Sequence, residues 1–260
     1  MANASRSPFL DHPLPIAFAH RGGALEVEEN TMPAFSHAVG LGYSHVETDV
    51  QATRDGVAVI FHDDTLERMA GRPDRIDALS WAELSRHRTR GGAEIPRLDA
   101  FLDAFPGLFV NLEAKSDAAV GPMAEAIRRA DAVARICVGS FEPERTARLR
   151  RALGPKLAWS PAHAGVFRLW LAGWGVPLTR GAFPAVQVPT HFKSIPVVTR
   201  RFVRAARARG IQVHVWTVDD EVGMEALIDI GVDGLMTDRP TLLKQVLERR
   251  GLWRQRAAPG

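Results

Sequence analysis

Short apolar runs alternate with longer helical patterns through most of this chain, and that alternation limits the folds open to it. Most of the runs are almost continuously apolar, as in parallel strands that are buried on both faces. We therefore predict an α/β architecture. The candidate strands are Ile16–Ala19, His45–Val50, Val57–Phe61, Leu108–Leu112, Arg135–Val138, Leu157–Ser160, Ala185–Val188, Ile211–Thr217 and Leu235–Thr237.

The length of 260 residues suits one TIM (β/α)8 barrel with a single domain. Nine candidate strands are one more than such a barrel needs, and the extra one is Val57–Phe61. It follows Asp55-Gly56, a strong hairpin turn signal, so it should run antiparallel as an extra hairpin strand after the second barrel strand. We expect the barrel to span residues 14–250, with flexible termini at 1–13 and 251–260.

Composition and charge exclude few function classes. The chain has 46% hydrophobic residues, and its net charge of +3 comes largely from arginines at 200–209 and 249–256. The arginines form either a solvated helix face or a patch that attracts anionic lipid or nucleic acid. Because no nucleic-acid motif appears, we expect no nucleic-acid partner. The lone Cys137 should be a buried thiol, which fits a reducing cytosol. We expect a cytoplasmic location, with peripheral membrane contact left open and the oligomeric state undetermined.

Two histidines follow candidate strands, where α/β barrels carry their functional groups. His20 begins His20-Arg21-Gly22-Gly23, in which an arginine and flexible glycines suit a phosphate. His62 ends the hairpin strand. Together they could form an acid–base pair near neutral pH, although each could also belong to a structural turn.

Three acidic side chains lie on two further strands. Glu47 and Asp49 lie on one face of a strand, because side chains alternate between the two faces. If that face is buried, a divalent cation would offset their charge; the alternative is that the pair faces solvent. Glu113 could be a third oxygen ligand. Lys115, on the same face as Glu113, could hold a phosphate oxygen or only form a local ion pair with it.

Two aromatic stretches leave alternatives open. Trp216, at the end of a strand, could contact a polyol or headgroup, or it could pack in the core. The apolar segment from Phe167 to Trp174 is either an outer barrel helix or an apolar rim for an acyl chain. The longer stretch from Val166 to Leu178 is too short and too charged to span a bilayer.

Taken together, these motifs closely resemble the glycerophosphodiester phosphodiesterase family, in order and spacing, from about residue 16 to 248. Glu29 departs from the pattern, because it stands where the family usually has proline. The matching motifs are His20-Arg21-Gly22, Glu29-Asn30-Thr31, Glu47-Thr48-Asp49-Val50, His62-Asp63, Asn111-Leu112-Glu113-Ala114-Lys115, Trp216-Thr217-Val218 and Gly231-Val232-Asp233-Gly234 with Thr237-Asp238.

The resemblance implies a TIM barrel that hydrolyses glycerophosphodiesters to an alcohol and sn-glycerol 3-phosphate. By the same analogy Glu47, Asp49 and Glu113 hold one divalent cation, Mg²⁺ or Ca²⁺. His20 and His62 would be the general acid and base, Arg21 and Lys115 would neutralise the phosphate, and Trp216 would lie near the glycerol. Two alternatives are a lysophospholipase D acting on lysophospholipids and, more remotely, a barrel that binds a phosphodiester without catalysis.

Overall fold

The computed structural model describes residues 7–176 and 183–254 and shows the expected alternation of strands and helices. The strands are β1 (Ile16–His20), β2 (His45–Ala52), β3 (Ala58–Ile60), β4 (Phe109–Ala114), β5 (Ile136–Gly139), β6 (Ala158–Trp159), β7 (Ala185–Pro189), β8 (His191–Phe192), β9 (Ile195–Pro196), β10 (Gln212–Trp216) and β11 (Gly234–Thr237). The α-helices are α1 (Met32–Leu41), α2 (Glu67–Ala70), α3 (Trp81–Leu84), α4 (Leu98–Ala104), α5 (Val120–Arg129), α6 (Pro143–Leu153), α7 (His163–Gly173), α8 (Arg200–Arg207), α9 (Glu221–Ile230) and α10 (Pro240–Arg249).

Eight of the strands form a nearly closed parallel barrel, so the TIM barrel prediction is confirmed. They pair in the order β6, β5, β4, β2, β1, β11, β10, β7. The two ends of this order, β6 and β7, are joined by a side chain: the Gln187 backbone N–H of β7 donates to Oγ of Ser160, directly after β6, over 3.0 Å. The extra strand β3 pairs antiparallel with β2, which confirms the hairpin predicted from Asp55-Gly56.

The helices pack around the barrel through their apolar faces, and their ends are fixed by short polar signals. Thr31 and Thr199 accept backbone N–H groups at the starts of α1 and α8, and Asp220 does so at the start of α9. Gly42 ends α1 in the left-handed region that favours glycine. Two large apolar clusters result, one behind each half of the barrel. Cys137 is buried, as predicted, and burial raises the pKa of its thiol.

The N-terminal segment differs from our expectation of a flexible terminus at residues 1–13. From residue 8 a short 3-10 helix, Pro8–Leu10, covers the lower end of the barrel, and its Phe9 and Leu10 are buried. The Phe9 carbonyl accepts from His45 Nε2 over 3.0 Å, and the Leu10 carbonyl accepts from Gln212 Nε2 over 2.8 Å. Burial of two apolar side chains with these hydrogen bonds explains the order of this segment.

Two features at the upper end, where the strands finish, position the site. The segment between β3 and β4 forms a small cap with its own apolar cluster, and its helix α3 begins with a capping box formed by Ser80 and Glu83. The antiparallel hairpin of β8 and β9 was not predicted; it extends β7 above the barrel. None of the helices in the described ranges has the length and apolar composition needed to cross a membrane.

Candidate active site

The upper ends of the strands surround a cavity of about 690 Å³. All eight residues that the sequence singled out line this cavity. It has two halves, which we define by their side chains. The polar half, on β1, β2, β4 and the adjoining loops, is formed by His20, Arg21, Glu47, Asp49, His62, Glu113 and Lys115. The apolar half, on the opposite side, is formed by Phe141, Val166, Phe167, Trp170, Phe192, Ile195 and Trp216.

The turn after β1 brings the first histidine and its arginine into the polar half. Arg21 has a φ of 51° and Gly22 a φ of 82°. A Cβ on Gly22 would lie 2.7 Å from the Cβ of Ala34, so only glycine fits between the turn and α1. The Arg21 backbone N–H donates to the Glu47 carbonyl over 2.9 Å, which ties the turn to β2.

His20 lies between two carboxylates. Its Nδ1 donates to Asp238 Oδ1 over 2.6 Å, and its Nε2 is 3.5 Å from Glu47 Oε2. Burial disfavours the imidazolium, but Glu47 and Asp238 outweigh it and raise the pKa of His20 to about 9. Asp238 follows β11, so this partner comes from the last strand of the barrel, 218 residues away.

His62 has a similar partner in its neighbour along the chain. Its Nδ1 donates to Asp63 Oδ1 over 2.6 Å, and Arg68 Nε donates to Asp63 Oδ2 over 2.6 Å. Burial opposes the ionised carboxylate, yet the hydrogen bonds from Arg68 and His62 lower the pKa of Asp63. Each histidine therefore has one ring nitrogen held by a carboxylate, which fixes the orientation of the ring.

The three predicted acidic ligands are at the same end of the barrel and share the polar half with two cations. Lys115 Nζ is 3.6 Å from Asp49 Oδ1 and 3.4 Å from Glu113 Oε2, while Arg21 Nε is 3.1 Å from Asp49 Oδ2. The Glu113–Lys115 ion pair considered from sequence therefore exists, but inside the cavity. Burial raises the pKa of Glu113, against the opposing effect of Lys115.

Glu29 links the two histidine turns, a role the sequence did not reveal. Its Oε1 accepts from Arg21 Nη1 over 3.0 Å and from Arg68 Nη2 over 2.7 Å, and its Oε2 accepts from Arg68 Nη1 over 2.9 Å. Arg68 in turn holds Asp63, the partner of His62. Glu29, which stands where the family usually has proline, thus places a carboxylate between the guanidinium groups of Arg21 and Arg68.

The apolar half is built by α7, the β8–β9 hairpin and the end of β10. Phe167 and Trp170 are stacked with ring centroids 6.3 Å apart, and Trp170 Nε1 donates to the Pro196 carbonyl over 3.2 Å. Trp216 is half-buried and meets Phe141 edge to face. Helix α7 therefore contributes Phe167 and Trp170 to the cavity rim, whereas Trp174, directly after the helix, does not line the cavity. Residues 177 and 178 of the longer apolar stretch lie outside the described ranges.

Comparison with known proteins decides the family. Residues 20–242 match the model of the glycerophosphoryl diester phosphodiesterase family. A probable glycerophosphodiester phosphodiesterase of Mycobacterium tuberculosis is 40% identical over 94% of this chain and 95% of its own length. This chain belongs to the glycerophosphoryl diester phosphodiesterase family. It is therefore an enzyme, a phosphoric diester hydrolase that acts on glycerophosphodiesters.

Two further likenesses complete the comparison. A mouse protein named as a lysophospholipase D is 26% identical over 89% of this chain and 82% of its own length. The crystal structure of a putative glycerophosphoryl diester phosphodiesterase from Silicibacter pomeroyi has a TM-score of 0.79 at 21% identity, covering 95% of this chain and 97% of the other. The second likeness confirms the barrel fold.

A phosphodiesterase of this family is expected to use a divalent cation, and the donor chemistry of the polar half fits one. Carboxylate oxygens are the ligands that Mg²⁺ and Ca²⁺ prefer. Burial, together with the nearby Asp49 and Glu113, raises the pKa of Glu47 to about 8, against the opposing effects of His20 and Arg21. Among the described residues no three acidic, histidine or cysteine side chains already form a metal-binding group. Lys115 lies between two of the carboxylates instead.

Proposed function

We propose that this enzyme hydrolyses glycerophosphodiesters to an alcohol and sn-glycerol 3-phosphate with the help of one divalent cation, using His20 and His62 as general acid and base. One observation carries the proposal: two histidines, each oriented by a carboxylate on Nδ1, line one cavity together with three carboxylates, an arginine and a lysine. That set of groups supplies proton transfer and charge neutralisation, which phosphodiester hydrolysis requires.

The side chains of the polar half have separate tasks in this mechanism. Arg21 and Lys115 bind the non-bridging phosphate oxygens and offset the charge that develops on them. One histidine removes the proton of the attacking hydroxyl, and the other protonates the leaving alcohol oxygen. The attacking group is either water or the free glycerol hydroxyl of the substrate, which would give a cyclic phosphate first. Asp238 and Asp63 hold the two imidazole rings in place.

Glu47, Asp49 and Glu113 would hold the divalent cation, Mg²⁺ or Ca²⁺. When bound, the cation supplies positive charge to the phosphate group as a Lewis acid. In the structure Lys115 and Arg21 contact Asp49 and partly neutralise it. Lys115 also contacts Glu113, so it bridges two of the three carboxylates that would hold the cation.

The test is a substrate panel of glycerophosphocholine, glycerophosphoethanolamine and glycerophosphoglycerol with protein stripped of metal by a chelator. We expect no release of sn-glycerol 3-phosphate until Mg²⁺ or Ca²⁺ is returned, and full release afterwards. Undiminished release without metal would overturn the cation requirement. Absence of release under every condition would overturn hydrolysis of these glycerophosphodiesters and would leave the lysophospholipid substrate or the non-catalytic binding barrel.

A second candidate substrate is a lysophospholipid, and the apolar half favours it. The cavity is large, and one side of it offers Phe167, Trp170 and Ile195 to a single acyl chain while the polar half holds the phosphate. The mouse relative is named as a lysophospholipase D. Comparing lysophosphatidylcholine with glycerophosphocholine separates the two candidates: a higher kcat/KM for the lysolipid supports the acyl-chain site, and no detectable turnover of it rejects that site.

A further inference from the structure

The acidic residues of this chain are distributed unevenly. Residues 145–218 contain thirteen lysines and arginines and no aspartate or glutamate, whereas the rest of the chain has twenty basic and thirty acidic residues. This acid-free segment runs from α6 to the end of β10 and so forms one continuous side of the barrel. Arg145 and Arg151 pair with carboxylates from outside the segment, but thirteen basic residues without an acidic one, on a chain with a net charge of only +3, still indicate attraction to an anionic partner.

Part of this side lies beside the cavity mouth and has cations that pair with no carboxylate in the described part of the chain. Arg168 is on α7, Lys193 is at the tip of the β8–β9 hairpin, and Arg200 and Arg201 are in the first turn of α8. All four are exposed. Within the described ranges, no lysine or arginine between Arg151 and Lys244 forms an ion pair. None of these four cations is therefore neutralised by a described carboxylate.

The same area exposes large apolar side chains. Helix α7 is strongly apolar, yet Leu169 is its only buried residue among those described. Phe167 is 58% exposed and Trp174 is 60% exposed. The hairpin from residue 191 to 196 is exposed throughout, and it adds Phe192 and Ile195. A contiguous exposed apolar area of this kind normally marks a contact surface.

Side-chain contacts join these segments into one surface. The rings of Trp170 and Trp174 are tilted against each other with centroids 5.7 Å apart, and the Arg201 guanidinium lies 4.6 Å from the centroid of the Trp174 ring. Trp170 also donates to the Pro196 carbonyl of the hairpin. We call the surface the docking platform. It consists of Phe167, Arg168, Trp174, Phe192, Lys193, Ile195, Arg200 and Arg201.

We propose that the docking platform binds the surface of a bilayer containing anionic lipids. Exposed tryptophan and phenylalanine beside unpaired basic residues suit the interfacial region, where rings enter the headgroup layer and cations meet lipid phosphates. The apolar half of the cavity continues directly from the platform through Phe167 and Phe192. A bilayer can therefore deliver an amphiphile into the cavity, whereas a protein docked on the same surface would cover the mouth.

The test is co-sedimentation of the full chain with vesicles of equal parts phosphatidylcholine and phosphatidylglycerol, compared with vesicles of phosphatidylcholine alone. We expect binding to the anionic vesicles only, weakened by high salt. Lys193→Gln should weaken that binding about fivefold, because one basic residue near an anionic surface contributes about this much. Trp174→Ser should weaken it about tenfold through loss of buried apolar area.

Matched controls separate the platform from general charge and from folding. Lys156 is an exposed lysine of the same acid-free segment, but it precedes β6 at the lower end of the barrel. Lys156→Gln should leave vesicle binding unchanged. Val39→Ser, at the lower end of α1, is the apolar control for Trp174→Ser. Neither Lys193 nor Trp174 lines the cavity, so both platform variants should keep wild-type turnover of glycerophosphocholine.

Two results would overturn the proposal. One is equal sedimentation with anionic and neutral vesicles at any salt concentration. The other is an equal loss of binding in Lys156→Gln and Lys193→Gln, which would assign the attraction to net charge rather than to the platform. Vesicle binding needs no turnover, so failure here would leave the proposed hydrolysis untouched, and the substrate panel tests that hydrolysis separately.

Discussion

The two halves of the cavity differ in charge, in burial and in the elements that build them. In the polar half, buried carboxylates on β2 and β4 are held by Arg21, Lys115 and His20. In the apolar half, exposed rings come from α7 and a short hairpin, and the chain from residue 145 to 218 has no acidic side chain at all. The polar groups thus lie on barrel strands and on the turns that follow strands, whereas the exposed apolar groups lie mainly on α7 and on the hairpin above the barrel.

This division has a functional consequence. Under the proposed mechanism, groups of the polar half act on the phosphate, which every glycerophosphodiester shares, so changing them should affect all substrates alike. Groups of the apolar half can contact only what lies beyond the phosphate. Changing them should alter the choice between substrates and leave the chemistry intact.

The largest effect should come from the two histidines. His20→Ala and His62→Ala should each lower kcat/KM for glycerophosphocholine by about 10²–10⁴-fold, the usual contribution of a general acid or base. Steady-state release of sn-glycerol 3-phosphate measures the loss, and the melting temperature checks the fold. His87→Ala, outside the cavity, is the control. A rate within twofold of wild type in either variant would remove that histidine from the mechanism.

The next effect should come from the acidic ligands. Glu113→Gln keeps the shape of the side chain but removes a charged oxygen ligand, and it should weaken Mg²⁺ or Ca²⁺ binding by about 10–100-fold. Calorimetric titration of the metal-free protein gives the affinity. Glu144→Gln, on the exposed pair with Arg151, should leave it unchanged. Equal affinities in wild type and Glu113→Gln would show that the cation is held elsewhere.

A smaller effect is expected at Glu29, which joins Arg21 and Arg68. Glu29→Gln removes the charge that holds both guanidinium groups, and we expect about a tenfold fall in kcat with little change in KM, because the reacting groups lose alignment. The exposed neighbour Glu67 offers a matched control in Glu67→Gln. If KM rose while kcat stayed constant, Glu29 would be a substrate contact rather than a positioning residue.

Sequence predicted the polar half better than the apolar half, for a physical reason. His20, Glu47, Asp49, Glu113 and Lys115 lie on or directly after strands, and strand alternation fixes which of them share a face. A parallel barrel then brings the strand ends together. Local pattern and fold class therefore suffice to place these side chains in one cavity.

The remaining features depend on contacts between distant segments, which local pattern does not encode. The His20–Asp238 hydrogen bond joins the first and last strands. The Glu29–Arg68 pair joins two turns 39 residues apart. Helix α7 is held over the mouth by a hydrogen bond from Trp170 Nε1 to the Pro196 carbonyl. Pro196 belongs to a hairpin whose strands are too short to give a strand signal in the sequence.

The most direct test of this division compares kcat/KM for lysophosphatidylcholine and glycerophosphocholine in two variants, one from each half. We expect His62→Ala to lower both values by the same factor, so that their ratio stays at the wild-type value. Trp170→Ala should lower only the lysolipid value, by about tenfold, through lost apolar contact. An equal fall on both substrates in Trp170→Ala, or a changed ratio in His62→Ala, would contradict the division of the cavity into a reacting half and a selecting half.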